Sequence, residues 1–232
     1  MKRSKINRIM SDAIAFCTAN KFYLPPFAFW TAADWQKKGD EVAEIVTNQL
    51  GWDITDFGLG DYEHTGLLLF TIRYGNFDYL KTMTGKIYAE KLLITGEKQI
   101  TPMHFHWQKM EDIINRGGGN LIIQMYNSNP DNDRLLDTDV TVQMDGVRTT
   151  VKAGGTVTLH PGESVALPSR LYHKFWGEPG KGTVLVGEVS RVNDDQIDNR
   201  FLDPIGRFPT IEEDEAPLYL LYNDYARYCK PR

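Results

Sequence analysis

The segment TPMHFHWQKMEDIINRGGGN, residues 101–120, decides how this chain is to be read. Side chains two apart on a strand point to the same face, so His104 and His106 project together into whatever that face encloses. Glu111 lies five residues further on and joins them only if the chain turns between. The run Arg116-Gly-Gly-Gly-Asn120 then supplies a turn into the next strand. One hairpin therefore offers two imidazoles and a carboxylate, a donor set suited to a divalent metal ion.

A fourth donor comes from HPGESVALPSRLYHKFWGE, residues 160–178. Pro161-Gly162 makes a turn, Glu163 to Leu167 a short strand, Pro168 a break, and His173 follows among Tyr172, Phe175 and Trp176. The two segments resemble the paired motifs of the cupin superfamily: His104-x-His106-x4-Glu111-x6-Gly118 and Gly162-x5-Pro168-x4-His173. Lys98 stands where the first motif usually opens with Gly, and Arg170 and Gly177 replace the usual Gly and Asn of the second. These are turn positions and leave the metal set intact. By itself an HxH pair is more often structural; it is the two-motif spacing that carries the metal reading. His64 and His160 fall outside the pattern and are read as ordinary surface or turn histidines.

The rest of the chain agrees with a barrel. After about Gly60 come short β-rich runs, among them Leu67 to Arg73, Lys86 to Ile94, Leu121 to Tyr126, Val140 to Met144 and Val184 to Val189, separated by turn residues. Asp145-Gly146 suits a two-residue primed hairpin turn. Strands without intervening helices predict a mainly β fold, a cupin-type antiparallel β-barrel of jelly-roll form. In front of it, apolar residues at helical spacing predict one helix over 4–20, ended by Pro25-Pro26, and a second from an N-cap at Asp34 to Gly51. The expected organisation is a single domain over 1–232, with a helical extension at 1–60, the barrel at 61–190 and an ordered C-terminal arm at 191–232.

The 232 residues are 41% hydrophobic, 12% aromatic and 25% charged, as in an ordinary globule. A net charge of −5 offers no basic field for nucleic acid. No stretch approaches the roughly 20 apolar residues of a membrane span, and the start lacks a signal-peptide pattern, so a cytoplasmic protein with two reduced cysteines, Cys17 and Cys229, is expected.

Three imidazoles and one carboxylate leave two neighbouring positions open on an octahedral ion, fitting a substrate with adjacent oxygens. Mixed N/O donors favour Mn2+ or Fe2+, with Zn2+, Co2+ or Ni2+ as replacements. A barrel with such an ion does not define a reaction. The segments LPPFAFW (24–30), LGWDITDFG (50–58), TPMHFHWQKMEDIINRGGGNL (101–121), LYHKFWGE (171–178), GEVSRVNDDQIDNRF (187–201) and GRFPTIEEDE (206–215) together resemble the D-lyxose isomerase family of bacterial sugar isomerases. The resemblance spans nearly the whole chain. It implies interconversion of D-lyxose with D-xylulose and, as a second pair, D-mannose with D-fructose.

Within that reading, Glu188 and Lys91 are the catalytic candidates, the first ending the apolar run Val184-Leu-Val-Gly-Glu. Lys109, between His106 and Glu111, and Arg200 are the substrate-binding candidates. Asp195 and the Glu212-Glu213 pair are weaker. Trp30, Phe105, Trp107, Phe175 and Trp176 are candidates to wall a sugar. A homodimer joined through the Trp- and Phe-rich N-terminal segments is expected. Two other readings remain at this point: an iron-dependent cupin dioxygenase, and a non-catalytic sugar-binding cupin.

Overall fold

The computed structural model describes residues 1–131, 133–194 and 197–229. Fourteen strands appear among them: β1 Gly51–Thr55, β2 Leu67–Tyr74, β3 Tyr88–Thr95, β4 Thr101–His106, β5 Glu111–Gly118, β6 Leu121–Ser128, β7 Leu135–Leu136, β8 Val140–Met144, β9 Val147–Val151, β10 Thr156–Leu159, β11 Ser164–Leu167, β12 Leu171–Gly177, β13 Val184–Arg191 and β14 Asn199–Phe201. They form an eight-stranded sheet, β1-β2-β3-β13-β5-β11-β8-β9, and a six-stranded sheet, β10-β6-β12-β4-β14 with β7 paired to β6 beside it. All the ladders are antiparallel. This is the cupin-type barrel that the sequence predicts.

The two-residue period of the strands sorts the side chains. On the larger sheet Leu67, Leu69, Leu93, Ile113, Val165 and Val186 point inward and meet Ile123, Met125 and Phe175 of the smaller sheet in the interior. The alternate residues Trp52, Ile54, Leu68, Phe70, Leu92 and Leu185 point outward, and α1 (Arg3–Ala19) covers them with Ile6, Met10, Ala13 and Cys17. Those four helical residues follow the spacing of one helix face. The larger sheet is thus apolar on both sides over much of its area, which is why its strands read as continuous hydrophobic runs.

Two predicted boundaries need correction. The second helix is not continuous: Ala32–Trp35 and Ala43–Thr47 are separate short helices, because Gly39 takes a non-helical conformation (φ −120°, ψ −141°). Asp34 is not its N-cap either. Thr31 holds that position, and Asp34, three residues later, closes a reciprocal capping box with it. The extension and the arm also enter the sheets: β1 is an edge strand of the larger sheet and β14 an edge strand of the smaller, paired to β4 through Asn199 and His106.

The arm also fastens α1. Arg3, buried to 1% exposure, pairs with Glu213 at 2.8 Å and Asp224 at 2.9 Å. Ser4 and Asn7 bond Asp214 and Glu215. No helix among the described residues is long and apolar enough to cross a membrane.

Candidate active site

Inward-facing polar residues interrupt the apolar interior at one end of the barrel. β4 brings His104 and His106 to the inner face, and β12 places His173 directly opposite His104. The chain turns after His106 and enters β5 at Glu111, whose cross-strand neighbours are Leu167 and Ser190. The turn is held from the arm by Asp198. Its backbone carbonyl accepts from Trp107 N at 2.9 Å, and its carboxylate from Gln108 N at 2.8 Å and Lys109 N at 3.2 Å. The turn that Glu111 requires thus depends on a residue 87 positions later in the chain.

The three imidazoles have their donor atoms within 4.8 Å of one another and are all buried. His104 Nδ1 lies 2.7 Å from the Pro102 carbonyl, and His173 Nδ1 lies 3.0 Å from the Leu171 carbonyl. A carbonyl only accepts, so in both rings Nδ1 carries a proton and Nε2 is the nitrogen left to meet a metal ion. His173 Nε2 is buried with no hydrogen-bond partner. It lies 3.1 Å from Glu111 Oε1, and His106 Nε2 lies 3.3 Å from the same oxygen.

Burial, reinforced by the neighbouring His173 and His106, pushes the His104 imidazole well below its usual range. Burial and the ammonium of Lys109 lower the His106 imidazole as well. Burial raises the Glu111 carboxyl, but Lys109 and His106 outweigh it and hold the group well below the usual carboxylate range. Neutral rings beside an ionised carboxylate are the protonation states that metal coordination needs. The orphaned His173 Nε2 is what an absent electrophile would satisfy. The histidine cluster can hold a metal ion, with Glu111 positioned beside two of the three rings.

A second polar group adjoins the first. Lys109 Nζ is 2.6 Å from Glu111 Oε2 and 2.9 Å from Glu188 Oε1. Glu188 faces Lys91 across the β13–β3 ladder, with Lys91 Nζ 3.7 Å from its Oε1, and Ser190 Oγ donates to the same oxygen at 3.1 Å. All four charged groups are at most 7% exposed. Two ammonium groups balance two carboxylates, and without that pairing their burial would cost several kcal/mol per ion.

These residues line one partly open cavity, with an apolar wall that includes Leu67, Leu93, Ile113 and Phe175. Of the aromatic residues expected to wall it, Phe175 does so. Trp107 packs outside on Phe105 at 4.7 Å between ring centroids. Phe57 and Phe201 complete the wall instead.

Arg200 is corrected. On β14 it alternates with Asn199 and Phe201, which line the cavity, so its own side chain turns to the outer face near Tyr172. The arginine that lines the cavity is Arg207, paired with Asp53. Neither it nor Asp198 stood out in the sequence, because each is a single polar residue in an aperiodic arm. Their signal lay in segments singled out only by family resemblance. Glu213 serves α1 through Arg3, Glu212 bridges Lys2, and Asp195 lies outside the described residues. His64 and His160 are exposed and bond Asp61 and Asn120, away from the cavity.

The model of the D-lyxose isomerase family matches residues 1–225. A D-lyxose/D-mannose isomerase of Serratia proteamaculans is 49% identical over 229 residues, 98% of this chain and 99% of that protein. One from Escherichia coli O157:H7 is 47% identical over 98% of this chain and 100% of that protein. Among solved structures, the L-ribose isomerase of Acinetobacter sp. DL28 superposes with a TM-score of 0.59 at 15% identity, covering 90% of this chain and 98% of its own. That of Cellulomonas parahominis gives 0.56 at 14%, covering 91% and 98%. The structural likeness concerns the fold alone. The sequence match takes in α1, both histidine-bearing strands and the arm that closes the cavity, and by it this chain is an isomerase belonging to the D-lyxose isomerase family.

Proposed function

We propose that the cavity interconverts D-lyxose with D-xylulose and D-mannose with D-fructose by moving a proton between C2 and C1 of the open-chain sugar. The observation that carries this reading is the position of Glu188. A buried carboxylate, flanked by two ammonium groups, lines the same cavity as the three-histidine cluster. The names of the two relatives support the sugars.

In the forward direction Glu188 takes the proton from C2 of the aldose, the electron pair of that C–H bond forms the C1–C2 double bond, and the C1=O pair moves onto O1 to give an enediolate. The same carboxyl then returns the proton to C1, while the O2 hydroxyl proton passes to O1 and leaves the C2 ketone. General-base transfer of this kind is worth about 10²–10⁴-fold in rate. Lys91 and Lys109 flank Glu188 at 3.7 and 2.9 Å and present N–H donors to the sugar oxygens as negative charge develops there. A divalent ion bound by His104, His106, His173 and Glu111 supplies Lewis acidity to the sugar's carbonyl end. The mixed nitrogen and oxygen donors favour Mn2+, with Fe2+, Co2+ or Zn2+ as replacements.

The same proposal takes the chain as one domain and a cytoplasmic homodimer. Two free, buried cysteines accord with a reducing compartment. The N-terminal aromatic seam is narrower than expected, since Trp35 and Trp52 are core residues and Tyr23 and Phe29 remain exposed. Light scattering at twice the chain mass is the expected result.

The test is to strip the protein with chelator, restore Mn2+ and supply D-lyxose or D-mannose in D2O. Ketose carrying deuterium at C1 is expected. No turnover of either sugar, or iron-dependent oxygen uptake in its place, would overturn the reading.

A further inference from the structure

Two of the segments that carry the family resemblance, residues 50–58 and 206–215, contribute neither to the histidine cluster nor to the Glu188 group. The fold brings them together. Asp53 and Thr55 face inward from β1, and both hold Arg207. The Arg207 guanidinium pairs with the Asp53 carboxylate, and its backbone carbonyl accepts from the Thr55 hydroxyl. The Thr55 hydroxyl in turn accepts from Phe57 N at 2.9 Å, and Gly206 N donates to Phe57 O at 2.9 Å. At Gly58 (φ +72°) an added Cβ would come to 3.2 Å from the Gly206 Cα, so the two loops approach as closely as glycines allow. Arg207 is therefore fixed at both its backbone and its charged end.

Its place explains the need. Arg207, Lys91 and Leu69 line both the reaction cavity and a second, larger polar pocket beside it, so they mark the boundary where the two adjoin. β13, β3, β2 and β1 are consecutive strands, which puts Asp53 three strand spacings, roughly 14 Å of backbone, from Glu188. A guanidinium held from that strand approaches the cavity from the β1 side, with β3 and its Lys91 lying between it and the strand of Glu188. Its planar fork presents paired donors, which match two neighbouring hydroxyl oxygens.

We infer that Arg207, anchored by Asp53, binds the far hydroxyls of the sugar and sets the ratio of six-carbon to five-carbon turnover. The inference rests on the isomerase reading above. A hexose carries one more hydroxymethyl group past the reacting carbons than a pentose and so reaches further toward this boundary. The Asp53 carboxylate orients the fork and offsets its charge, so that an uncharged polyol is held by hydrogen bonds and an anion gains little.

Arg207→Lys, Arg207→Gln and Asp53→Asn, each loaded with Mn2+, would be compared with wild type on D-mannose and D-lyxose. For the Arg207 variants kcat/KM on D-mannose is expected to fall roughly tenfold or more beyond any fall on D-lyxose, with the excess in KM, as befits loss of charge-assisted hydrogen bonds. Inhibition by D-mannitol should weaken more than inhibition by the five-carbon D-arabinitol, which reads binding even where turnover is lost. Arg207→Lys keeps the charge paired with Asp53 and guards against failure to fold. Equal falls on the two sugars, or an unchanged ratio of alditol affinities, would overturn the inference while leaving the isomerase standing. Wild type that turns over neither sugar would overturn both.

Discussion

Lys109 and Glu188 stand 79 residues apart in sequence and 2.9 Å apart in space, as a buried ion pair inside the barrel. The second bond of the same ammonium, 2.6 Å to Glu111, makes Lys109 the bridge between the histidine cluster and the proposed proton-transfer carboxylate. One side chain thus couples the position of two functional groups that come from different strands.

Glu188→Gln keeps the shape and removes the base. Its kcat is expected to fall about 10²–10⁴-fold while KM changes little, because the group acts on the transition state more than on binding. Steady-state kinetics on D-lyxose with Mn2+ at saturation measure this, and near-normal kcat would remove Glu188 from the role.

Metal removal is expected to act on stability as well as rate. An ion held only by the folded protein stabilises it by about 2.7 kcal/mol at a hundredfold excess over Kd. Chelation should lower the melting temperature and abolish turnover, and Mn2+ should restore both. In His173→Ala metal content should fall sharply and the chelator should no longer shift the melting curve.

Lys98 and Arg170, which replace the usual motif glycines, both sit in the left-handed region at φ +58° and +64°. The turns have kept the conformation that favours glycine and lost the residue that adopts it freely. Lys98 is exposed, so Lys98→Gly should stabilise the protein by about 0.5–1 kcal/mol, raising the melting temperature by a few degrees. Arg170 lies over Trp107 at 4.9 Å and bonds Asp133 at 2.9 Å, so the same change there should gain less or lose.

The hydrogen bond from Arg3 holds the Glu213 carboxyl below its ordinary value against slight burial. A depressed folded-state pKa contributes stability above the unfolded value, about 4.3, that disappears as pH falls through the folded one. Glu213→Gln should cost about 0.5–1 kcal/mol at pH 7, since the carboxylate is 39% exposed, and the cost should shrink as pH falls below about 4.3 and vanish below the folded-state value. Urea titrations across that range test it. Arg3→Met should be far worse, about 3–5 kcal/mol, because it strands Asp224 in the interior.

Cys17 lies on the buried face of α1, where burial pushes its thiol up to about 11. It should resist iodoacetamide at pH 8 in the folded protein and react at once in denaturant.

The sequence makes legible whatever follows a local period or a fixed spacing. His104 and His106 share a face because they are two apart, and Glu188 is conspicuous as a lone charge ending an apolar run. Lys91 reads the same way, and both prove to be inward. The helix expected from Asp34 to Gly51 misleads because Gly39 breaks a pattern that periodicity alone would continue. Arg200 misleads because a three-residue strand is too short to announce its parity. Arg207 and Asp198 are silent because their roles come from partners 154 and 90 positions away, Asp53 and Gln108, with no repeat to connect them.

The arm has a consequence for the order of biosynthesis. The cavity lacks part of its wall until Asn199, Phe201 and Arg207 have left the ribosome, and α1 finds its partner Glu213 only 210 residues later. A nascent chain shorter than this exposes the unpaired edge of β4, together with the histidines it carries. A fully walled cavity is therefore a property the chain acquires only once the arm has docked.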